Sequence, residues 1–294
     1  MQFIVLQNQE KNNVLQKQNK ETTIMMRSST RKREHTIALI TDFGGTDGYV
    51  PVMRAVINSV SPQARTVEIT NSIAPGNVDH AAYVLWSTYK YFPMGTVFVT
   101  VVDPGVGTNR AILAVHADEH LFLAPDNGCL KYILGMAKVR EIRRVNNREL
   151  MRPTICPTFH GRDIFAPVAA QFTEGIQMRT VGPLMVPETQ PESFVMVRNF
   201  EQKRADGEVI HIDRFGNLIT SFFMEDFFDR GEEIKVALKK TIIGQFYRTY
   251  GYAPPGKPFG YVGSSGLLEI ALKNKSAADE LKSGVGSKVT LTIS

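Results

Sequence analysis

Two cysteines and one tryptophan are all that the 294 residues hold of those types. Cys129 and Cys156 cannot make a disulfide framework or a zinc motif, so the core must come from packing alone. They read as idle thiols of a reducing compartment. Long apolar runs are missing too, and no stretch approaches the roughly 20 residues needed to span a bilayer. The opening Phe3-Ile-Val-Leu6 is too short for the core of a signal peptide and runs on into Gln, Asn and Lys, which argues against export. A cytoplasmic chain with no membrane partner is expected. The glycines form no Gly-x-x-x-x-Gly-Lys-Ser/Thr phosphate loop, no His/Cys set has zinc spacing, and there is no internal repeat.

The excess of positive charge is small and unevenly placed. Of a net +5, four charges lie in residues 1–35, which hold seven Lys or Arg against three Glu. A basic tail on a near-neutral body argues against a nucleic-acid partner. The tail is rich in Gln, Asn, Lys and Arg without hydrophobic periodicity and reads as disordered. Met25 or Met26 offers an alternative start.

What the chain does have is 43% hydrophobic residues, enough to bury a substantial core. An α/β domain is expected over 36–185. Thr36-Ile-Ala-Leu-Ile40, Val67-Glu-Ile-Thr70, Thr96–Val102, Ala111–Val115 and His120–Ala124 read as strands. Helices are expected over 47–60, with Val52, Ala55, Val56 and Val60 at helical spacing, over 79–91 and over 164–172. Alternating elements predict a mainly parallel sheet with its ligand site at strand ends. Trp86 falls on the apolar side of its helix and reads as core. Residues 183–193, with three prolines, read as a linker. Beyond it, over 193–294, short strands at 208–212, 218–222, 233–238, 267–271 and 288–293 alternate with Gly-rich turns, the pattern of an all-β, barrel-like domain.

Four glycine-punctuated polar stretches adjoin these apolar runs: Thr41-Asp-Phe-Gly-Gly45, Asp103-Pro-Gly-Val-Gly-Thr-Asn-Arg110, Phe159-His-Gly-Arg-Asp-Ile-Phe165 and Asp213-Arg-Phe-Gly-Asn217. Such turns let backbone approach a ligand closely. Asp42 suits a pair of ribose hydroxyls or a helix cap, and Asp47 suits the cap better. Asp103 and Arg110 can pair across their turn. His160 is the side chain best fitted to exchange protons near neutrality. Phe215 and Asn217 fit a purine's face and polar edge, or an ordinary hairpin. Ser264-Ser265-Gly266 suits a carboxylate or a plain turn.

Taken together, these motifs resemble the S-adenosyl-L-methionine hydroxide adenosyltransferase family, relatives of the fluorinase and chlorinase. The resemblance runs from about Thr36 to the C-terminus and includes Pro125-Asp-Asn-Gly128 and Leu268-Glu-Ile-Ala271 in the family's order. It implies an α/β domain followed by a barrel-like β domain, a homotrimer with intersubunit sites, and cleavage of S-adenosyl-L-methionine by water to adenosine and L-methionine. No cofactor or metal is implied. By position, Asp103, Arg110 and His160 correspond to the water-activating triad and Asp42 to the ribose ligand. Phe215 and Asn217 match the adenine-facing pair, Asp213 and Ser264 the groups at the methionine end. Tyr250 falls near an adenine-stacking aromatic, one residue out of step. The halogenating relatives carry an aromatic residue in place of Asp103 and lack His160, so water is the expected nucleophile. Asn71 replaces a usual His, and Asp79-His80 a common Arg-Glu-like pair. Alternatives are a halide adenosyltransferase, a non-catalytic binding module, and a metal-dependent hydrolase using Asp42, Asp103, His160 and Asp163.

Overall fold

The computed structural model describes residues 35–196, 204–224 and 233–293; the basic tail, His35 apart, lies outside the described residues. Strands β1 (Thr36–Thr41), β2 (Arg65–Thr70), β3 (Val97–Val101), β4 (Ile112–Ala117), β5 (His120–Pro125) and β6 (Val139–Arg144) form one sheet. Their order is β2-β1-β3-β5-β4-β6. β2, β1, β3 and β5 run parallel, while β4 is antiparallel to both β5 and β6. Side chains alternate between two buried faces. Ile37, Leu39, Val97 and Val99 pack on one side, and Ala38, Ile40 and Phe98 on the other.

Helices α1 (Tyr49–Val60) and α4 (Ala166–Thr173) cover the first face. Helices α2 (Val78–Thr88) and α3 (Lys131–Met136) cover the second. The buried stripe of α1 is Val50, Met53, Val56 and Ile57, whereas Val52 is 40% exposed and Ala55 is exposed too. Both sets fit a 3.6-residue period, and the tighter apolar set faces the sheet. Gly48, with no side-chain cap bond, precedes α1, so Asp47 is not the cap expected of it. Helix α3 and strand β6 carry no signal that the sequence reading picked up. Trp86 lies in the core as expected, 5% exposed.

Past the first domain, β7 (Val195–Met196), β8 (Arg204–Ile212), β9 (Leu218–Phe223), β10 (Ile234–Leu238), β11 (Thr241–Ile243), β12 (Pro258–Val262), β13 (Leu267–Leu272) and β14 (Lys288–Ile293) build a second sheet. Its order is β11-β10-β14-β8-β9-β13-β12, antiparallel throughout, with β7 added parallel to β9. The chain just after β11 stitches onto β12: Gly260 N–H donates to Gln245 O at 2.8 Å and Tyr247 N–H to Gly260 O at 3.0 Å. A Cβ at Gly260 would lie 2.4 Å from the Phe246 ring, so glycine lets the ends meet. The sheet is thereby a nearly closed barrel around Val209, Leu218, Phe222, Val236, Ile270 and Leu291.

The expected linker is irregular but tied down. Asp126 accepts from Glu188 N–H at 2.7 Å and Thr189 N–H at 3.2 Å, and Lys131 pairs with Glu192. Phe194 then inserts between Trp86 (ring centroids 4.2 Å) and Tyr132 (4.5 Å). Ile210, Ile219 and Leu267 of the barrel join the core beneath α2 and α3. His211 stacks on Tyr83 and His80 of α2, at 4.5 and 4.6 Å. Among the described residues no helix is long and apolar enough to cross a membrane.

Burial and the neighbouring His80 push the His211 pKa from 6.5 down to about 4, against the pull of Asp213. The unfolded chain therefore takes up this proton first as pH falls, and the stability His211 contributes above about pH 6.5 is lost towards pH 4. Urea titrations at pH 7 and pH 5 are expected to show this loss, and His211→Gln to lessen it; an unchanged slope in the variant would clear His211 of the effect.

Candidate active site

The sheet's connectivity reverses at β1, which is followed in the chain by β2 on one side and β3 on the other. Ligand crevices in open α/β sheets form at such a point, outside the carboxyl ends of the strands. Thr41 and Val101 are paired partners at the ends of β1 and β3, so Asp42 and Asp103 emerge side by side. A cleft of about 440 Å³ opens there, lined among others by Asp42, Phe43, Gly76, Asp103, Phe159 and His160.

Each polar side chain has a reason to be where it is. Asn127 Nδ2–H donates to Val102 O at 2.9 Å, which fixes the strand end just before Asp103. The following loop folds on itself through Val106 N–H to Asp103 O and Thr108 N–H to Gly105 O, both 3.2 Å. Gly107 sits at φ +80°, where a Cβ would be 2.5 Å from Pro157 O. This close approach sets the Asp103–Arg110 loop against the segment that leads to His160. His160 opens a π-helical turn, Gly161–Phe165, ahead of α4. Such turns are rare and favour functional sites. Asp163 in that turn is wholly buried. It accepts from Cys156 N–H at 2.8 Å and pairs with Arg162 and Arg152, so its oxygens are committed to holding the loop. Among the described residues no group of three His, Cys, Asp or Glu side chains is placed to hold a metal ion.

Asp103, Arg110 and His160 come together. Arg110 Nε–H donates to Asp103 Oδ1 at 2.9 Å and Oδ2 at 2.8 Å, and Nη2 to Oδ2 at short range. Nη2 also lies 2.9 Å from His160 Nδ1. The guanidinium is the centre of the row. The acid and guanidinium side chains are only 5% and 11% exposed. A guanidinium can only donate, so Nδ1 accepts, and the imidazole proton sits on Nε2. Burial first, then Arg110, lowers the His160 pKa, with Asp103 and Asp163 opposing. The ring is thereby held neutral, a donor through Nε2.

Apolar rings wall the cleft. Phe43, Tyr49 and Phe159 contact one another with centroids 5.1 to 5.9 Å apart. Gly161 admits this packing, since a Cβ there would be 3.3 Å from Phe159 and 3.1 Å from Met53. Asp42 Oδ2 accepts from Gly76 N–H at 2.8 Å, so it caps no helix and instead draws the loop after β2 over the cleft. Asn71 bonds Thr41 Oγ1 at 3.0 Å and Glu68 at 2.6 Å, tying the same loop to the end of β1. Pro75-Gly76, in the 72–78 loop that the family resemblance lays over the sugar, forms one wall of the cleft.

The second domain's candidates lie elsewhere. None of Asp213, Phe215, Asn217, Tyr250 and Ser264 lines this cleft. The β8–β9 hairpin is formed by Asp213, whose Oδ1 accepts from Phe215 and Asn217 N–H, both at 2.9 Å. Gly216 takes φ +82° there. Phe215 is 77% exposed, and Asn217 is buried. Tyr250 Oη accepts from Asn274 N–H at 2.7 Å. Ser264 opens on a separate hollow of about 210 Å³ beside Trp86 and Lys90.

Residues 37–182 match the SAM hydroxide adenosyltransferase N-terminal domain, and residues 207–290 the C-terminal domain. The chain is similar to the (R)-S-adenosyl-L-methionine hydrolase of Salinispora arenicola, 34% identical over 264 residues, covering 87% of this chain and 97% of that protein. A crystal structure of a conserved protein from Thermotoga maritima superposes with a TM-score of 0.78 at 33% identity, over 87% of this chain and 99% of that one. The fluorinase of Actinopolyspora mzabensis is 26% identical over 292 residues, covering 86% and 96%.

The Arg110–His160 contact makes a direct expectation. By NMR, the imidazole of His160 is more than half neutral at pH 6.5 in the native chain, and Arg110→Met raises its midpoint by removing the opposing cation and leaving Asp103. A midpoint unmoved by the substitution would show that Arg110 does not set its protonation.

Proposed function

The chain belongs to the SAM hydroxide adenosyltransferase family, and from there we propose that it cleaves S-adenosyl-L-methionine with water to adenosine and L-methionine. The observation that carries this reading is the Asp103–Arg110–His160 row opening on the Asp42 cleft. Asp42 suits the ribose hydroxyls, and the row beside it suits a water behind C5′.

The sulfur leaves as a neutral thioether, so no acid has to protonate it, and the reaction as read needs no metal or cofactor. What the protein supplies is a nucleophile in line with the C5′–S bond. As the C5′–O bond forms, the C5′–S pair returns to sulfur and the sulfonium charge disappears. Charge moves onto the attacking oxygen, whose proton becomes strongly acidic as the bond closes. His160 Nε2–H orients the water as a donor, Asp103 on the cleft wall receives the proton, and Arg110 holds both in place. His160 itself does not take the proton in this scheme, because its acceptor nitrogen faces the guanidinium. The rings of Phe43 and Phe159 keep the site poor in competing water.

A homotrimer with composite sites goes with this reading. It is supported by the exposed Phe215 and by the separation of the barrel's candidates from the cleft within one chain. A neighbouring subunit's Phe215, Asn217, Asp213, Tyr250 and Ser264 would then complete the adenine and methionine ends. The cytoplasm is the compartment assigned, in keeping with the unpaired Cys129 and Cys156.

Incubation with S-adenosyl-L-methionine is expected to yield adenosine and methionine in equal amounts, by chromatography. Halogenated nucleoside in excess chloride or fluoride would favour halide transfer instead, and intact substrate after prolonged incubation a binding module. Asp103→Asn, which removes the proton acceptor, is expected to lower kcat by roughly 10²–10⁴, and His160→Ala, which removes the donor that orients the water, by roughly 10²–10³, with substrate binding largely retained; a drop under about threefold in both would remove them from the mechanism. Co-expression of His160→Ala and Phe215→Ala chains tests the composite site. Mixed trimers recover activity if sites span subunits, and stay inactive if each chain works alone.

A further inference from the structure

Asn217 is 4% exposed, and its amide is held by Asp213 together with a pair, Tyr261 and Glu269, to which the family resemblance gives no role. Nδ2 donates to Asp213 Oδ2 at 2.8 Å and makes a longer contact of 3.4 Å to Tyr261 Oη. Tyr261 in turn donates to Glu269 Oε2. Tyr261 and Glu269 face each other as paired residues of β12 and β13, and Glu269 is also opposite Ile219 on β9. Glu269 is 7% exposed, and a Cβ at Gly263 would lie 1.8 Å from its Oε1, so the barrel leaves room for this carboxylate and little else. Burying a carboxylate is costly unless a donor meets it, and Tyr261 is that donor here.

Its effect is on the polarity of the amide. With the Tyr261 proton committed to Glu269, the phenol oxygen offers Asn217 only lone pairs, as the Asp213 carboxylate does. Turning the amide over would set Oδ1 against both. Nδ2 is therefore fixed inward and Oδ1 is left to a ligand; among the described residues no donor reaches it. An amide presented this way accepts a hydrogen bond from an amino group and opposes a carbonyl.

We infer that Glu269 and Tyr261 are specificity-determining positioning residues, which with Asp213 fix the Asn217 amide so that the site takes a 6-amino purine and rejects a 6-oxo purine. This rests on the reading of Asn217 as adenine-facing. Glu269 and Tyr261 touch no substrate in this assignment; they act through Asn217. Hydrogen-bonding sites reject an analogue that leaves a buried polar group opposed far better than apolar pockets reject a size change.

Calorimetric titration of the full chain with adenosine and with inosine tests this, alongside Tyr261→Phe and Glu269→Gln. The native protein is expected to prefer adenosine by roughly 10²-fold, and each variant to lose about fivefold or more of that preference, whatever happens to its overall affinity. A merely structural role would weaken both nucleosides alike and leave the ratio unchanged, which would overturn the inference. So would equal binding of adenosine and inosine by the native chain. Should either variant fail to fold, the other decides. Selective adenosine binding without consumption of S-adenosyl-L-methionine would defeat the hydrolytic reading and leave this one standing.

Discussion

A single guanidinium stands between an acid and an imidazole, and the shape of the cleft follows from it. Arg110 can serve Asp103 and His160 at once only if two loops of different origin are pressed together. One leaves β3, and the other leads into the turn before α4. The close approach of Gly107 to Pro157 and the Asp163 clamp on Cys156 and two arginines are the means. Because the pair is nearly out of solvent, its attraction is screened less than a surface ion pair would be. The same contact makes the imidazole a donor through Nε2, where a free histidine would choose.

The first domain was largely legible because its central strands are apolar on both faces and the cleft-forming ones end in polar, glycine-bearing turns. Thr36–Ile40 and Thr96–Val102 read as buried strands, which the structure forms over Thr36–Thr41 and Val97–Val101, and their neighbours in sequence are the residues of the cleft. Strand β6, Val-Arg-Glu-Ile-Arg-Arg, was not legible, since an edge strand half covered by solvent carries no apolar run. Helix α1 was found, but the stripe chosen from its apolar residues was only partly the buried one, because two faces of that helix carry valine.

The row of Asp103, Arg110 and His160 could be suspected from motifs, yet its order could not. Spacing says nothing about which of three side chains lies in the middle. Nor does a sequence reveal that Asp42 would be drawn upon by Gly76, or that Asp126 and Asn127, adjacent residues of one motif, would hold different things: one the 188–189 segment, the other Val102. These are tertiary contacts between stretches up to 63 residues apart. The Asp213–Asn217 stretch illustrates the opposite case. Its two readings, hairpin and ligand loop, do not compete, because Asp213 spends its carboxylate on the turn while the turn exposes Phe215.

The margins of the two sheets have been dealt with differently. The barrel ends are drawn together through Gln245, Tyr247 and Gly260, which shortens the edge left to recruit a stranger's backbone. The open sheet instead studs its outer strands with charge, Arg65 and Glu68 on one flank and Arg140, Glu141, Arg143 and Arg144 on the other, where Leu184 also bridges to Arg143. Charge at a border deters indiscriminate strand addition, so neither flank of the open sheet invites a second backbone to extend it.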